Sequence, residues 1–248
     1  MYTNADQFRN KTDEMQNRIG IYMPDVIAIN EVKPKSRKFC CNPAEFDVDP
    51  NRLYDAWDNN LDNDIGRGQL LIIKKVLKST QVYMDTKFDE GVFAEIPLQG
   101  QDRLLIALIY RSDSGGKDMA DKLNQLIQEL ATKGYSHLLV LGDFNYKYID
   151  WPSMSSTVPM EKKFLDCIQD TYLTQHIDEP TRWRGTDNPS LIDLVFTNEE
   201  NMVNDIDYQA PLGKSDHAVI CFNLLCYTGE GRETIERKKY HLDNYDAV

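Results

Sequence analysis

Short apolar runs separated by polar turns follow one another along most of the chain, a pattern that favours a protein built on β-sheets. The two most apolar runs, QLLIIKKV and RLLIALIY, are typical of strands buried on both faces. The other predicted strands are VIAIN at residues 26–30, STQVYM, GVFAEI, HLLVLGD, SLIDLVFTN and SDHAVICFNLLCY.

Other segments place their apolar residues at helical spacing. In ADQFRNKTDEMQNRI, a helix is predicted because Phe8, Met15 and Ile19 share one face. The segment DKLNQLIQELATKG predicts a second helix that stops at Gly134, and MEKKFLDCIQD predicts a third. Strands come first, helix and strand then alternate, and strands close the series. This order indicates an α/β domain with helices outside its sheets.

Polar stretches mark the connections and the end of the domain. Residues 33–66 predict a long irregular segment, and NEENMVNDIDYQAPLGK is interpreted as the segment between two strands. From Thr228 the composition becomes polar and rich in both charges. The 248 residues therefore predict one domain over 1–226 and a charged tail or linker over 227–248.

The charge balance limits the classes of partner. With 28 basic and 40 acidic residues the net charge is −12, which does not suit a general nucleic-acid binder. Local basic clusters, EVKPKSRK and TRWR, fit either an anion site or a solvated loop. No apolar run approaches the roughly 20 residues that span a membrane, the start lacks the features of a signal peptide, and five cysteines without metal-ligand spacing suit a reducing compartment. We therefore expect an intracellular protein, nuclear or cytoplasmic, that is neither secreted nor membrane-spanning.

Polar residues recur where the predicted strands end. Glu31 follows VIAIN, Tyr110 ends RLLIALIY, and Asp143 and Asn145 follow LLVLG. Any one of them fits a cap or turn. Their joint occurrence is harder to assign to turns, because carboxylates beside apolar strands need a hydrogen-bonding partner or a cation. Carboxylate and amide oxygens suit Mg²⁺ or Mn²⁺.

Six segments in order resemble the endonuclease/exonuclease/phosphatase superfamily: YTNAD, IAINEVK, LIALIYR, VLGDFN, LIDLVF and SDHAVI. Within it, KFLDCIQDTYLTQHIDEPTRWRG and PSLIDLVFTN look most like the apurinic-type endonuclease domain of non-LTR retrotransposons. The resemblance implies a four-layer α/β/β/α sandwich of two mainly antiparallel sheets between helices, with the active site at one edge. It also implies Mg²⁺ or Mn²⁺ as cofactor and DNA as substrate.

The resemblance assigns a role to each matching residue. It places Glu31, Asp6, Asn4 and Asp216 at the metal. It makes Asp143 the residue that orients or deprotonates water, Asn145 the holder of phosphate or water, and His217 the catalytic histidine oriented by Asp193. Tyr110 would lie beside the scissile phosphate. The substrate-binding residues implied are Arg111, Lys33, Thr181, Arg182 and Ser215.

The sequence thus predicts a monomeric Mg²⁺-dependent endonuclease that nicks DNA to leave a 3′-hydroxyl, with a reverse transcriptase domain of a longer polyprotein as a further partner. An abasic-site repair endonuclease and a lipid or inositol phosphatase are the alternatives within the superfamily. A catalytically inactive domesticated domain that binds nucleic acid or protein is the alternative of another class. It stays open because the apolar strand expected before Asn4 is nearly absent, which predicts a short strand and a loosely held metal-side loop.

Overall fold

The computed structural model describes residues 1–34, 53–62 and 66–226. The predicted tail over 227–248, and the basic residues Lys35, Arg37 and Lys38, lie outside the described residues. In chain order the helices and strands are β1 (Tyr2–Asn4), α1 (Thr12–Tyr22), β2 (Val26–Asn30), β3 (Tyr54–Asn59), β4 (Gln69–Lys74), β5 (Thr80–Val82), β6 (Gly91–Pro97), β7 (Arg103–Tyr110), α2 (Gly116–Thr132), β8 (His137–Asp143), β9 (Ile149–Asp150), β10 (Ser155–Ser156), α3 (Pro159–Asp170), β11 (Thr174–Gln175), β12 (Asp193–Thr197), β13 (Val203–Gln209) and β14 (Val219–Leu224).

These strands form two six-stranded sheets and a small β9–β10 pair. The first sheet has the order β13-β14-β1-β2-β4-β3, and the second has the order β11-β12-β8-β7-β6-β5. Most neighbours are antiparallel, but β1 pairs with β2 and β7 with β8 in parallel. Both parallel pairs are joined through a helix, as parallel neighbours require.

The two sheets stack face to face, and the alternation along β7 shows how. Leu105 and Ile109 pack with the apolar side chains of α2 and α3, whereas Leu104 and Leu108 pack against the first sheet. Successive strand residues point to opposite faces, so a strand covered on both sides reads as a continuous apolar run. Helix α1 covers the outer face of the first sheet through Met15. The layers are therefore α/β/β/α, as predicted. None of the helices in the described ranges is long and apolar enough to cross a membrane.

Two strands fall where the sequence predicted irregular connections, so those predictions were wrong. Strand β3 lies within 33–66, and β13 lies in the segment between β12 and β14. The two strands form the opposite edges of the first sheet, so each has a neighbouring strand on one side only. Their sequences, YDAWDN and VNDIDYQ, are polar because an edge strand is only partly covered and charges on it discourage further pairing. The apolar signal is consequently missing.

The first helix begins later than predicted, at Thr12 rather than near residue 5. The intervening backbone continues the β1–β2 pairing instead, since the amides of Ala5, Gln7 and Phe8 donate to the carbonyls of the last residue of β2 and the two residues after it. Asp6 has a positive φ of 37°. A helix through this stretch would give up those bonds. Phe8 is fully buried, as expected for a residue on an apolar face, but it lies outside the helix in which it was predicted.

Candidate active site

A row of polar side chains crosses each sheet at the same end of the sandwich. In the second sheet, Asp143 lies opposite Asp193 on one side and Tyr110 on the other. In the first sheet, Asn4 pairs with Asn30, which pairs with Gln69. Residues paired across strands point to the same face. Both rows therefore face the gap between the sheets, just beyond the apolar core.

Hydrogen bonds join the two rows. Asn4 Nδ2 donates to Asp143 Oδ2 at 2.9 Å, and Asn30 Nδ2 donates to the carbonyl of Ile109 at 2.8 Å. Asn4, Asn30 and Asp143 are all at most 1% exposed. Buried polar groups without partners would be costly, so these bonds position the strand ends relative to one another. The site is thus built on two rigid sheets.

His217 and Asp193 form a short hydrogen-bonded pair in the site. His217 Nδ1 lies 2.7 Å from Asp193 Oδ2, and Tyr2 Oη donates to Asp193 Oδ1 at 2.7 Å. The Asp193 amide donates to Thr181 Oγ1 at 3.0 Å, which fixes the start of β12. Both oxygens of the carboxylate therefore have a partner, and the imidazole has one orientation. The hydrogen bond that the sequence predicted between Asp193 and His217 is present.

The electrostatics of this pair favour an imidazolium. Burial by itself lowers the pKa of His217, but the charge of Asp193 and its hydrogen bond outweigh burial and raise the pKa to about 9. Nε2 of the ring lies 3.9 Å from Asp143 Oδ2 and 3.6 Å from Asp216 Oδ1. Both distances exceed a good hydrogen bond. The Nε2–H group is therefore available to donate to a bound anion.

Asp143 lies beside this imidazolium in a different environment. Burial, and then the charge of Asp193, raise the pKa of Asp143 above its usual range, while His217 lowers it. Its Oδ1 accepts the backbone amide of Asn145 at 3.0 Å. Asn145 has a positive φ of 52°, and its Nδ2 donates to the carbonyl of Arg111 at 2.8 Å. The turn after β8 thus aims the carboxylate and holds the amide next to it.

A second acidic group lies across the gap at the end of β2. Glu31 Oε2 is 2.7 Å from Arg67 Nη1, and Asp6 Oδ1 is 3.0 Å from Arg67 Nη2. Burial and then the charge of Glu31 hold the pKa of Tyr110 well above its usual range, so its hydroxyl stays protonated. Hard carboxylate oxygens converging on one positive group are the donor set that Mg²⁺ or Mn²⁺ takes. Glu31 and Asp6 therefore offer the type of ligand atom that a divalent ion takes, and among the described residues Arg67 forms an ion pair with both.

Asp143, Asp193 and His217 also offer ligand atoms within 4.8 Å of one another, a group that could hold a metal. Their hydrogen bonds argue for another use. Both oxygens of Asp193 already have hydrogen-bond partners. Oδ1 accepts from Tyr2 Oη, and Oδ2 is bonded to His217 Nδ1. A metal there would disturb this pair, just as a metal at Glu31 and Asp6 would displace Arg67. Glu31 and Asp6 are two of the four residues that the sequence predicted at the metal, with Asn4 and Asp216.

The other predicted residues divide into those near the gap and those beneath it. Arg182 Nε donates to Asp216 Oδ2 at 3.0 Å, so Asp216, which was predicted at the metal, forms an ion pair with Arg182. Ser215 Oγ donates to the Asn4 carbonyl at 2.7 Å, and Thr181 is fully buried. Thr181 and Ser215 therefore support the site from below, and their positions do not fit the predicted contact with substrate.

Two predicted substrate contacts are buried. Arg111 is 1% exposed, and its Nη1 donates to the carbonyls of Phe144 and Asn145 at 3.2 and 3.3 Å. Its guanidinium also lies 4.3 Å from the centre of the Tyr146 ring. Lys33 is 2% exposed and its charge acts on Glu90. Both side chains are thus largely buried, and their predicted phosphate contacts stay a prediction.

Sequence reasoning missed two residues of the site, Tyr2 and Arg67. Tyr2 was treated as part of a missing strand, yet it donates to Asp193 from the centre of the first sheet. Arg67 lies just after the segment predicted to be irregular, 33–66, and just before the predicted strand that begins at Gln69, and no role was predicted for it. Its flanking glycines, Gly66 and Gly68, have positive φ values of 54° and 71° and mark a tight turn. An arginine between two glycines just before a buried strand was the signal available.

Similarity to known proteins agrees with this geometry. Residues 104–221 match the family described as endonuclease-reverse transcriptase. No curated protein sequence matches the chain. The endonuclease domain of TRAS1, a telomere-specific non-LTR retrotransposon, is a similar solved structure with 16% identity, covering 90% of this chain and 96% of that chain at a TM-score of 0.66.

Two AP endonucleases have similar folds. LMAP from Leishmania major is 14% identical and has a TM-score of 0.66 over 90% of this chain and 86% of that chain. An AP endonuclease from Archaeoglobus fulgidus is 14% identical, with a TM-score of 0.61 over 90% and 97%. The resemblance predicted from the sequence is thereby confirmed: the protein has the fold of the endonuclease/exonuclease/phosphatase superfamily, and residues 104–221 match its endonuclease-reverse transcriptase family.

Proposed function

We propose that the protein is a divalent-metal-dependent endonuclease that nicks DNA and leaves a 3′-hydroxyl. The observation that carries the proposal is the arrangement of Asp143 beside the His217–Asp193 pair, with Glu31 and Asp6 across the gap. A phosphodiester needs a proton acceptor for water and positive charge on its oxygens. In this arrangement the proton acceptor, Asp143, and the sources of positive charge meet at the gap between the two sheets.

The roles follow from protonation. His217 carries a proton near neutral pH, so its Nε2–H donates to a phosphate oxygen where negative charge builds in the transition state. Asp143, as carboxylate, accepts the proton of the attacking water, and Asn145 orients that water or the phosphate. The P–O3′ bond breaks as the water oxygen bonds to phosphorus, and the leaving O3′ takes a proton from solvent to become the 3′-hydroxyl. The Tyr110 hydroxyl donates to an oxygen of the same group. Bound at Glu31 and Asp6, Mg²⁺ or Mn²⁺ would supply further positive charge at the phosphate.

The choice of DNA over another phosphate ester is supported by the family match, which pairs an endonuclease with a reverse transcriptase. A cut that leaves a 3′-hydroxyl is the end that a polymerase extends, and such a polymerase in a longer polyprotein is the partner that we propose. The exposed Trp183, 45% accessible beside Arg182 and Arg184, offers a ring to a base or groove next to two positive charges.

Abasic-site cleavage is the second candidate function, because AP endonucleases share the fold. Supercoiled plasmid separates the two. An endonuclease of the proposed kind nicks intact plasmid with Mg²⁺ and not with EDTA, and DNA polymerase extends the nick without prior treatment. A repair enzyme leaves intact plasmid untouched and cuts only an oligonucleotide that carries an abasic site.

The variant that tests the metal assignment is Glu31→Gln, which keeps the side-chain shape and removes its charge. We expect nicking to fall at least about 100-fold at low millimolar Mg²⁺, since a ligand charge is lost. Glu199→Gln is the matched control, because the Glu199 carboxylate pairs with the partly exposed His137 at 2.6 Å, away from the site. Nicking by Glu31→Gln at the wild-type rate would contradict the assignment.

A further inference from the structure

Arg67 is held more firmly than an ordinary surface arginine. Its Nη1 and Nη2 groups contact Glu31 and Asp6 at 2.7 and 3.0 Å, and its Nε donates to the Lys33 carbonyl at 3.0 Å. All three sides of the guanidinium are thus used. The side chain is 13% exposed and that of Glu31 is 12% exposed, so water screens this ion pair little.

The backbone around Arg67 is shaped to deliver it. The Arg67 carbonyl accepts from the Lys33 amide at 2.7 Å, and its own amide lies 3.2 Å from Glu90 Oε1. A Cβ at Gly66 would lie 1.6 Å from Glu90 Oε1, and one at Gly68 would lie 2.6 Å from Leu61 Cδ2. With their positive φ values, both positions favour glycine. The turn is a built support for one arginine.

The place of this arginine creates a conflict with metal binding. The same two carboxylates, Glu31 and Asp6, are the ones that suit a divalent ion. An oxygen that accepts a short charged hydrogen bond from a guanidinium cannot make its best contact with a metal at the same time, and two positive groups side by side repel each other. Arg67 and the ion therefore compete for the same negative charge.

We propose that Arg67 is an internal competitor for the divalent ion: it holds Glu31 and Asp6 by ion pairs that the ion breaks in order to bind them. The inference rests on the proposed function insofar as it needs a metal at these carboxylates. Without the ion, the positive charge of Arg67 offsets the repulsion between the two carboxylates. Its hydrogen bond to the Lys33 carbonyl also holds the loop after β2 in place. Arg67 thereby sets the ion concentration at which the site fills.

The test is a binding measurement on the whole chain. Free Mn²⁺ is followed by electron paramagnetic resonance as the ion is titrated into wild type, Arg67→Gln and Arg67→Lys. We expect Arg67→Gln to bind Mn²⁺ at least about tenfold more tightly than wild type, because the ion no longer displaces a cation. Arg67→Lys should lie between them, since one ammonium replaces a fork that reaches two carboxylates.

A general gain of negative charge would also attract cations, so the matched control is Arg103→Gln. Arg103 forms an ion pair with Glu95 at 3.2 Å on the second sheet and is 45% exposed. Its loss changes the net charge equally and should leave the affinity unchanged. Thermal unfolding gives a second readout: without ion Arg67→Gln should melt below wild type, and Mn²⁺ should raise its melting temperature by more.

The outcomes separate the two proposals. Equal or weaker Mn²⁺ binding by both Arg67 variants, with wild type binding and nicking normally, overturns the competitor role and leaves the proposed function standing. If neither wild type nor Arg67→Gln binds Mn²⁺, both proposals fail. If Arg67→Gln does not fold without ion, Arg67→Lys decides: tighter binding than wild type supports the competitor role, and equal or weaker binding overturns it.

Discussion

Replacement of Asp193 by Asn changes one charge in the centre of the site and little else in shape. The amide oxygen of Asn can still accept from Tyr2 Oη, which now donates to Asp193 Oδ1 at 2.7 Å. Its NH₂ group then faces His217 Nδ1, where the carboxylate oxygen lies at 2.7 Å. An amide donor at that nitrogen holds the neutral ring with its proton on Nε2. Asp193→Asn therefore destabilises the imidazolium while the side-chain shape that the fold accommodates is kept.

The size of the effect follows from the forces on the ring. Burial lowers the pKa of His217, and Asp193 is the first of the groups that raise it, to about 9. Asp143 and Asp216 remain in the variant at 3.9 and 3.6 Å from Nε2 and keep part of the increase. We expect the pKa to fall by roughly 2 units, or about 3 kcal/mol of lost preference for the charged ring.

The raised pKa of His217 also makes the stability of the protein depend on pH. Because the pKa of His217 is raised in the folded state, its contribution to wild-type stability is complete below pH 6.5 and disappears as the pH rises through about 9. Asp193→Asn lacks most of that contribution. The variant should therefore be less stable than wild type at pH 6, and the difference should shrink above pH 9.

Two measurements check this prediction. An NMR titration follows the His217 ring, assigned by comparison with His217→Ala, and plasmid nicking is recorded against pH. The loss of activity at high pH should move down by about 2 units together with the ring pKa. Glu199→Gln is the control, since it removes the carboxylate 2.6 Å from His137, outside the site. A His217 pKa within half a unit of wild type, on the order of 0.7 kcal/mol, would refute the reasoning.

The remaining predictions concern the same pair and the strand beside it. His217→Ala should reduce nicking at least as much as Asp193→Asn, and the double variant should be scarcely worse than the worse single one; additive losses of activity would mean that the residues do not act as a unit. Gly142→Ala should lower the free energy of unfolding by more than about 3 kcal/mol in a urea titration, because its Cβ would lie 1.8 Å from the carbonyl oxygen of Ile109. Gly20→Ala, in helix α1 with nothing within 4 Å of the new Cβ, should instead raise it by roughly 0.5–1 kcal/mol; equal effects would contradict the steric argument.

The sequence allowed the buried strands to be predicted because a strand covered on both faces has a continuous apolar run. Strands β4 and β7 were identified in this way, and both lie inside their sheets. The strands β3 and β13 were missed because each is an edge strand, whose polar residues resemble those of a loop. An edge strand forms because it pairs with the strand beside it, and the local sequence does not show which strand will lie beside it.

The candidate site divides along the same line. Glu31, Asp143, Asp193 and His217 were predicted from motifs, and the structure brings one ligand atom from each of the last three within 4.8 Å of the others. Their catalytic roles stay predictions. Arg111 was assigned to the substrate because of its place after β7, but its side chain turns inward onto Tyr146. The sequence shows that Arg111 follows a strand. It does not show the direction of the side chain, which depends on packing in the folded protein.

The shortest strand in the first sheet explains why a nearly absent first strand need not loosen the site. Strand β1 has three residues, yet it lies between β14 and β2 in the interior of the sheet. Its first and third residues, Tyr2 and Asn4, face the second sheet and donate to Asp193 and Asp143. A hydrogen bond to a buried charged group contributes about 1.5–3 kcal/mol. The two carboxylates that flank His217 are therefore each held by β1. This removes the physical reason, a loosely held first strand, on which the interpretation as an inactive domain depended.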